Sequence, residues 1–241
     1  APSDATVARQ LYEESLAIFR TSGDPWGIAW PLAGLGGLAL RESDYAQAHT
    51  LFEEALALRR SIEARWGVAI ALTSLAEVER HTGNYARAAE RLGEALELFR
   101  ETGDLERVAW VLQCHGFLAL DQRNSDAAAG YFHDAFALRR AQGHLPGMAI
   151  IFDGIATLGV WNADFDLAQE LFIAADQFRA ASGVSRVADE PPVRDARQAI
   201  AQRNVIADRA PEGIDNVLAR ATQLVSAAVA RASSGPGASQ E

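Results

Sequence analysis

Lysine is absent from this chain, so all 22 basic residues are arginine. A Walker loop needs a lysine amine against its phosphates and a Schiff base needs one as nucleophile. ATP hydrolysis by a Walker motif and pyridoxal chemistry are therefore excluded. An arginine-only set of cations fits a GC-rich coding sequence. Cysteine is nearly absent as well: the one thiol, Cys114, rules out an intramolecular disulfide and a zinc cluster of thiolates. No run of about 18 apolar residues occurs, so the sequence offers no membrane-spanning helix. Neither HExxH nor GxSxG is present, and Gly34, Gly36 and Gly37 fall inside a helical pattern, the wrong setting for a phosphate-cradling loop.

Acidic residues, 32 in number, give a net charge of −10. The segment from Gly183 onward is close to neutral, so the acidity lies before it. A surface of that sign repels phosphate backbones and argues against DNA or RNA as a direct partner.

What the chain does contain is a 40-residue self-repeat that keeps its register without insertion or deletion. Four sixteen-residue blocks carry it: 45–60 (YAQAHTLFEEALALRR), 85–100 (YARAAERLGEALELFR), 125–140 (SDAAAGYFHDAFALRR) and 165–180 (FDLAQELFIAADQFRA). A fifth lies one period upstream at 5–20 (ATVARQLYEESLAIFR). Alanine holds the fourth position throughout, at Ala8, Ala48, Ala88, Ala128 and Ala168, which suggests close approach of two helix backbones. Large apolar residues hold the eighth (Tyr12, Phe52, Leu92, Phe132, Phe172) and the fourteenth (Ile18, Leu58, Leu98, Leu138, Phe178). That spacing predicts a core stripe on a helix.

A second helical pattern begins near Trp26, Trp66, Glu106 and Pro146, with a small-residue column of its own at Gly36, Ala76, Gly116 and Ala156. Gly23-Asp24-Pro25 supplies a stop, an N-cap and a first-turn proline, and Gly83-Asn84-Tyr85 a tight turn. The expected unit is helix, short turn, helix, longer turn. These columns and turns resemble the tetratricopeptide repeat in a 40-residue form, over roughly residues 5–182. The resemblance implies an all-α, right-handed superhelix of helical hairpins, stabilised by contacts between neighbours.

The expected organisation is a repeat array over residues 1–182 whose first repeat has only its second helix, capping helices over 183–232, and a disordered tail over 233–241. Asp189-Glu190-Pro191-Pro192 breaks the chain and is expected to cap a helix over about 193–209; a second candidate runs over about 214–232. Ala5 aligns with Tyr45, no first helix precedes it, and the first residue is not methionine. The expectation is a piece of a longer repeat protein, with its open first copy available for self-association.

The helix openings Asp24-Pro25-Trp26-Gly27-Ile28-Ala29-Trp30 and Ala64-Arg65-Trp66-Gly67-Val68-Ala69-Ile70 match each other. With YEESLAIFR and FEEALALRR they resemble the C-terminal repeat region of large bacterial regulators of the MalT and AfsR type. The resemblance implies a cytoplasmic sensor or partner-binding arm, without cofactor, metal or membrane contact. A stand-alone adaptor is the alternative, and an enzyme with a pocket among the helices a remote one.

In tetratricopeptide arrays the first helix of each pair lines the groove. Carried across by column, the candidate site for a protein segment or small effector comprises Trp30, Arg41, Glu77, Arg80, His81, Trp110, Gln113, Phe117, Asp121, Asp153 and Trp161. Trp26 and Trp66, repeated at helix starts, are assigned to packing. His115 falls in a core column, and its neighbour Cys114 points about 100° away, which removes the pair as a nucleophile and base. Glu77 and His81 stand four apart, as an exposed helix pair does without metal.

Overall fold

The computed structural model describes residues 4–184 and 190–203, together with Asn216 and Gln223. The described residues form helices and turns only. The helices are α1 (Asp4–Ser22), α2 (Pro25–Arg41), α3 (Tyr45–Ser61), α4 (Arg65–His81), α5 (Tyr85–Glu101), α6 (Leu105–Asp121), α7 (Ser125–Ala141), α8 (Leu145–Trp161), α9 (Phe165–Ser182) and α10 (Pro191–Gln202). None is long and apolar enough to cross a membrane. The sixteen-residue blocks open α3, α5, α7 and α9 at their first residues.

Two compact units are present, Ala1–Asp104 and Leu105–Glu241. In the first, α1 packs on α2, and the hairpins α2–α3 and α4–α5 join through α3 and α4. In the second, α6–α7 and α8–α9 join in the same way through α7 and α8, and α10 lies against α8 and α9. The candidate helix over 193–209 is thus observed as α10, which ends at Gln202. The 214–232 candidate and the 233–241 tail lie outside the described residues.

From α2 to α9 the two kinds of turn are equal in length, contrary to the short-then-longer expectation. Each carries one residue in the left-handed region, and these recur every twenty positions from Gly23 through Ser43, Glu63, Gly83, Gly103, Arg123, Gly143 and Ala163 to Gly183. Around Ser43 its N–H donates to the Leu40 carbonyl and the next N–H, of Asp44, to Ala39, at 3.0 and 2.9 Å. This double closure satisfies the last carbonyls of a helix and turns the chain sharply. Every turn from Ser43 to Gly183 uses it, while at the first turn the Gly23 N–H donates to the Phe19 carbonyl instead, so the 40-residue repeat is built of two equivalent twenty-residue halves.

Ala48, Ala88, Ala128 and Ala168 of the alanine column are buried and Ala8 is half-buried, while Phe52, Leu92, Phe132 and Phe172 are buried as well. The small residue opposite makes room for the ring: a Cβ on Gly36 would sit 2.6 Å from Phe52, and one on Gly116 2.5 Å from Phe132. Each fully buried phenylalanine contributes about 2–3 kcal/mol of transfer free energy. The fourteenth column is a correction. Leu58, Leu98 and Leu138 are half-buried and Ile18 is exposed, leaving Phe178 as its deeply buried member. The deep positions in the three blocks 45–60, 85–100 and 125–140 are instead the eleventh, twelfth and fifteenth, exemplified by Ala55, Leu56 and Arg59.

Candidate partner-docking site

Arg59 is the unexpected member of that core. Its place in the block is taken by Phe19, Arg59, Phe99, Arg139 and Arg179 in the five copies, and in unit 1 the side chain enters a crevice beneath the first turn of α4. Gly67 creates the crevice, since a Cβ there would lie 2.8 Å from Arg59 Cδ. The guanidinium donates from Nη1 to the Gly67 carbonyl at 2.9 Å. Arg59 is only 7% exposed, and burial holds its pKa below the usual arginine range.

The same glycine explains why the neighbouring tryptophan is outside. Successive residues on a helix point about 100° apart, so where Gly67 receives Arg59 and Gly27 receives Phe19, Trp66 and Trp26 are carried away from the core. Trp26 is 64% exposed and Trp66 42%, which corrects their assignment to packing. Trp30, one turn beyond Trp26 on the same face of α2, is 58% exposed. Together Trp26, Ala29 and Trp30 of α2, Arg59 of α3, and Ala64, Arg65, Trp66 and Gly67 at the start of α4 line a cleft of about 250 Å³.

The cleft's polar rim is held in place. Trp66 Nε1 donates to Asp104 Oδ2 at 2.9 Å, and Arg65 pairs with Glu101. Aromatic rings with a fixed polar edge, open to solvent and next to a guanidinium, make the composition found at the centres of protein interfaces.

The other expected groove residues divide by burial. In unit 1, Arg41 is exposed, while Glu77 and His81 are half-buried, with the His81 ring stacked on Tyr45 at 5.3 Å. Arg80 is buried beside His81 Nε2 at 3.1 Å and leaves the candidate surface. In unit 2, Trp110, Asp121 and Trp161 are half-buried; Arg107 lies over Trp110 at 5.5 Å and Arg123 over Trp161 at 4.5 Å. Gln113, Phe117 and Asp153 are corrections, since all three are buried. The Phe117 ring meets Phe132 edge-on at 5.3 Å, so it belongs to the core.

Asp153 is engaged from two sides, which is why it cannot face a ligand. Arg179 of α9 pairs with its Oδ2, and Arg197 of α10 donates to Oδ1 at 2.6 Å. Asp176 bridges the same two arginines at 3.2 Å each, and Arg197 also covers the Phe172 ring at 4.2 Å. Burial pushes the Asp153 carboxyl up from its ordinary range, and the two arginines pull it back. His115, placed in the core by its column, is buried and stacks on Tyr131 at 4.7 Å.

Sequence reasoning missed Arg59, Arg65, Ala64 and Gly67. The signal was available: a charged residue stands where other copies have phenylalanine, on the helical face that carries Phe52 and Leu56.

Residues 3–61 match a family model described as tetratricopeptide repeat, and residues 68–102 match a second model of the same description. These stretches carry tetratricopeptide repeats, which constitute a protein-interaction domain. A search of curated proteins finds no match. Among solved structures, the crystal structure of BtubC (BKLC) from P. vanneervenii aligns with 97% of this chain and 91% of its own at 18% identity and a TM-score of 0.57. At that identity the likeness concerns the fold.

Proposed function

We propose that this tetratricopeptide-containing chain is the partner-binding arm of a signalling or transcriptional regulator, and that it grips a protein segment through Trp26, Trp30 and Trp66. The observation that carries the reading is the clustering of three exposed tryptophans around one cleft. A tryptophan left in water forfeits the transfer free energy of a large ring, and such rings are the side chains that dominate binding when covered. The likeness of the two helix openings to those of MalT- and AfsR-type regulators supports the regulatory role. A segment lying across α2 and α4 contacts two successive hairpins at once. It thereby favours the hairpin arrangement in which both contacts are made, by a coupling of about 1–3 kcal/mol.

Site-specific photocrosslinking tests this. A benzoylphenylalanine at position 30 or 66 is expected to give the same discrete protein adducts in the source cell, whereas one at Glu90, exposed on α5, is not. Indistinguishable adduct patterns from all three positions would refute the docking role of the cleft.

A further inference from the structure

In unit 2, Arg179 is neutralised by Asp153, a residue of the preceding helix twenty-six positions upstream. The position equivalent to Asp153 for Arg59 is Ala33, which has no acceptor to offer. Of the five N–H bonds of the Arg59 guanidinium, one finds a protein acceptor, the Gly67 carbonyl. Among the described residues no carboxylate pairs with Arg59. A buried cation without a counter-charge is costly, because the lost hydration is not replaced. Its remaining donors are not sealed: Arg139 Nε and Nη1 are buried without an acceptor, but no Arg59 nitrogen is, and Arg59 lines the tryptophan cleft.

We propose that Arg59 is the anchor for a carboxylate of the bound protein segment, with an adjoining apolar side chain of that segment lying among Trp26, Trp30 and Trp66. This rests on the docking reading above and specifies the chemistry of the partner. A carboxylate fits better than a phosphate for two reasons. One planar guanidinium matches one planar monoanion, and the rim acids Glu101 and Asp104, on a chain of net charge −10, oppose a dianion. The carboxylate belongs either to an Asp or Glu side chain or to a chain terminus, two sources of the same chemistry.

The test is selection of random dodecapeptides against the intact chain from two displayed libraries, one with free and one with amidated C-termini. Affinities of the enriched sequences are then measured. The expected result is peptides that bind the parent, lose binding in Trp30→Ala, and weaken about tenfold or more when one carboxylate is replaced by its amide. That loss should vanish in Arg59→Gln. It should also shrink in Ala33→Asp, which supplies an internal carboxylate while keeping the arginine. The amide substitution is made in the peptide, so its effect on the parent does not depend on how any variant folds. Enrichment from the amidated library assigns the carboxylate to a side chain; enrichment confined to the free one assigns it to the terminus. Peptides that need Trp30 but are indifferent to the carboxylate and to Arg59 would overturn this inference and leave the docking site intact. A selection yielding no Trp30-dependent peptide would overturn both.

Discussion

Arg59 in the first unit and Arg179 in the second occupy the same place in their repeats, yet their surroundings are opposite. Arg179 reaches Asp153 and Asp176, and with Arg197 it ties α8, α9 and α10 together. Arg59 meets a backbone carbonyl and an open cleft with aromatic walls. Repeat geometry dictates that the side chain enters the crevice; the residue in the Ala33, Gln113 and Asp153 column dictates what it finds there. A charge completed internally becomes a fastener, and a charge left incomplete becomes available to a partner.

Removing the completing acid should therefore make the second unit resemble the first, at a large cost. Asp153→Ala leaves Arg179 and Arg197 with only the half-exposed Asp176 between them and is expected to lower unfolding free energy by about 2–4 kcal/mol. The urea midpoint measures it. Adding Arg197→Met should recover part of the loss, because one of the two cations sharing Asp176 is removed; a loss below about 1 kcal/mol would show that the cluster does not fasten the unit.

Glycines sharpen the contrast at the next level. Gly116 and Gly154 both face the ring of Phe132, with an added Cβ at 2.5 and 2.3 Å, while the nearest atom to Gly67 is the flexible stem of Arg59. Gly116→Ala is expected to cost about 1–3 kcal/mol by overpacking. Gly67→Ala should be close to neutral in stability, since the helix gains from alanine what the displaced stem loses. It should nevertheless weaken binding in the cleft, because Arg59 moves. Similar stability losses in both variants would refute this difference.

Most of the fold was legible because the repeat supplies its own comparison: five copies put Ala48 and its equivalents in one column, and that column is buried in every copy but the first, where Ala8 is half-buried. Gly23-Asp24-Pro25 read correctly as a helix boundary, with Gly23 left-handed and Asp24 accepting from the Trp26 N–H at 3.1 Å. The site was less legible, for a physical reason. Their column carries Gln113 and Asp153 into the candidate groove, but they vary inside the core, where the acid–arginine pairing differs between copies. Column agreement was taken as the mark of packing, but Trp26 and Trp66 agree because both stand beside a glycine that receives the preceding helix. Identity alone does not separate these cases; the residue across the crevice does, and it lies in another column.

The turns give a smaller contrast. Gly83 in the first unit and Ala163 in the second sit at the same phase with φ of 79° and 60°. A left-handed alanine costs roughly 1 kcal/mol relative to glycine. Ala163→Gly should therefore raise unfolding free energy by up to about 1 kcal/mol, and Gly83→Ala should lower it by a similar amount. A stability change of the same sign in both variants would show that the turns are not equivalent.

Helix starts give the smallest contrast, and it depends on pH. In the first unit Ala64 begins α4 with no side-chain cap, whereas His144 Nδ1 accepts from the Gly147 N–H at 3.0 Å to cap α8. The acceptor role requires that Nδ1 carry no proton. Burial, and then nearby Arg139, hold the imidazole pKa below its ordinary 6.5, with Glu106 opposing. The folded state thus binds this proton less readily than the unfolded chain. The His144 contribution is fully present above the unfolded pKa and declines as pH falls through 6.5 toward the folded value. His144→Asn keeps an acceptor at the cap but removes the titration, so its stability should match the parent's within about 1 kcal/mol at pH near 7.5. It should then fall less than the parent's between about pH 7 and 5.5. Ala64→Asp, which adds the missing cap to the first unit, should stabilise the chain by about 0.5–1 kcal/mol. That gain should not depend on pH over the same interval, because a surface aspartate stays ionised there. Parallel stability curves for the parent and His144→Asn would mean that the histidine cap does not sense protons.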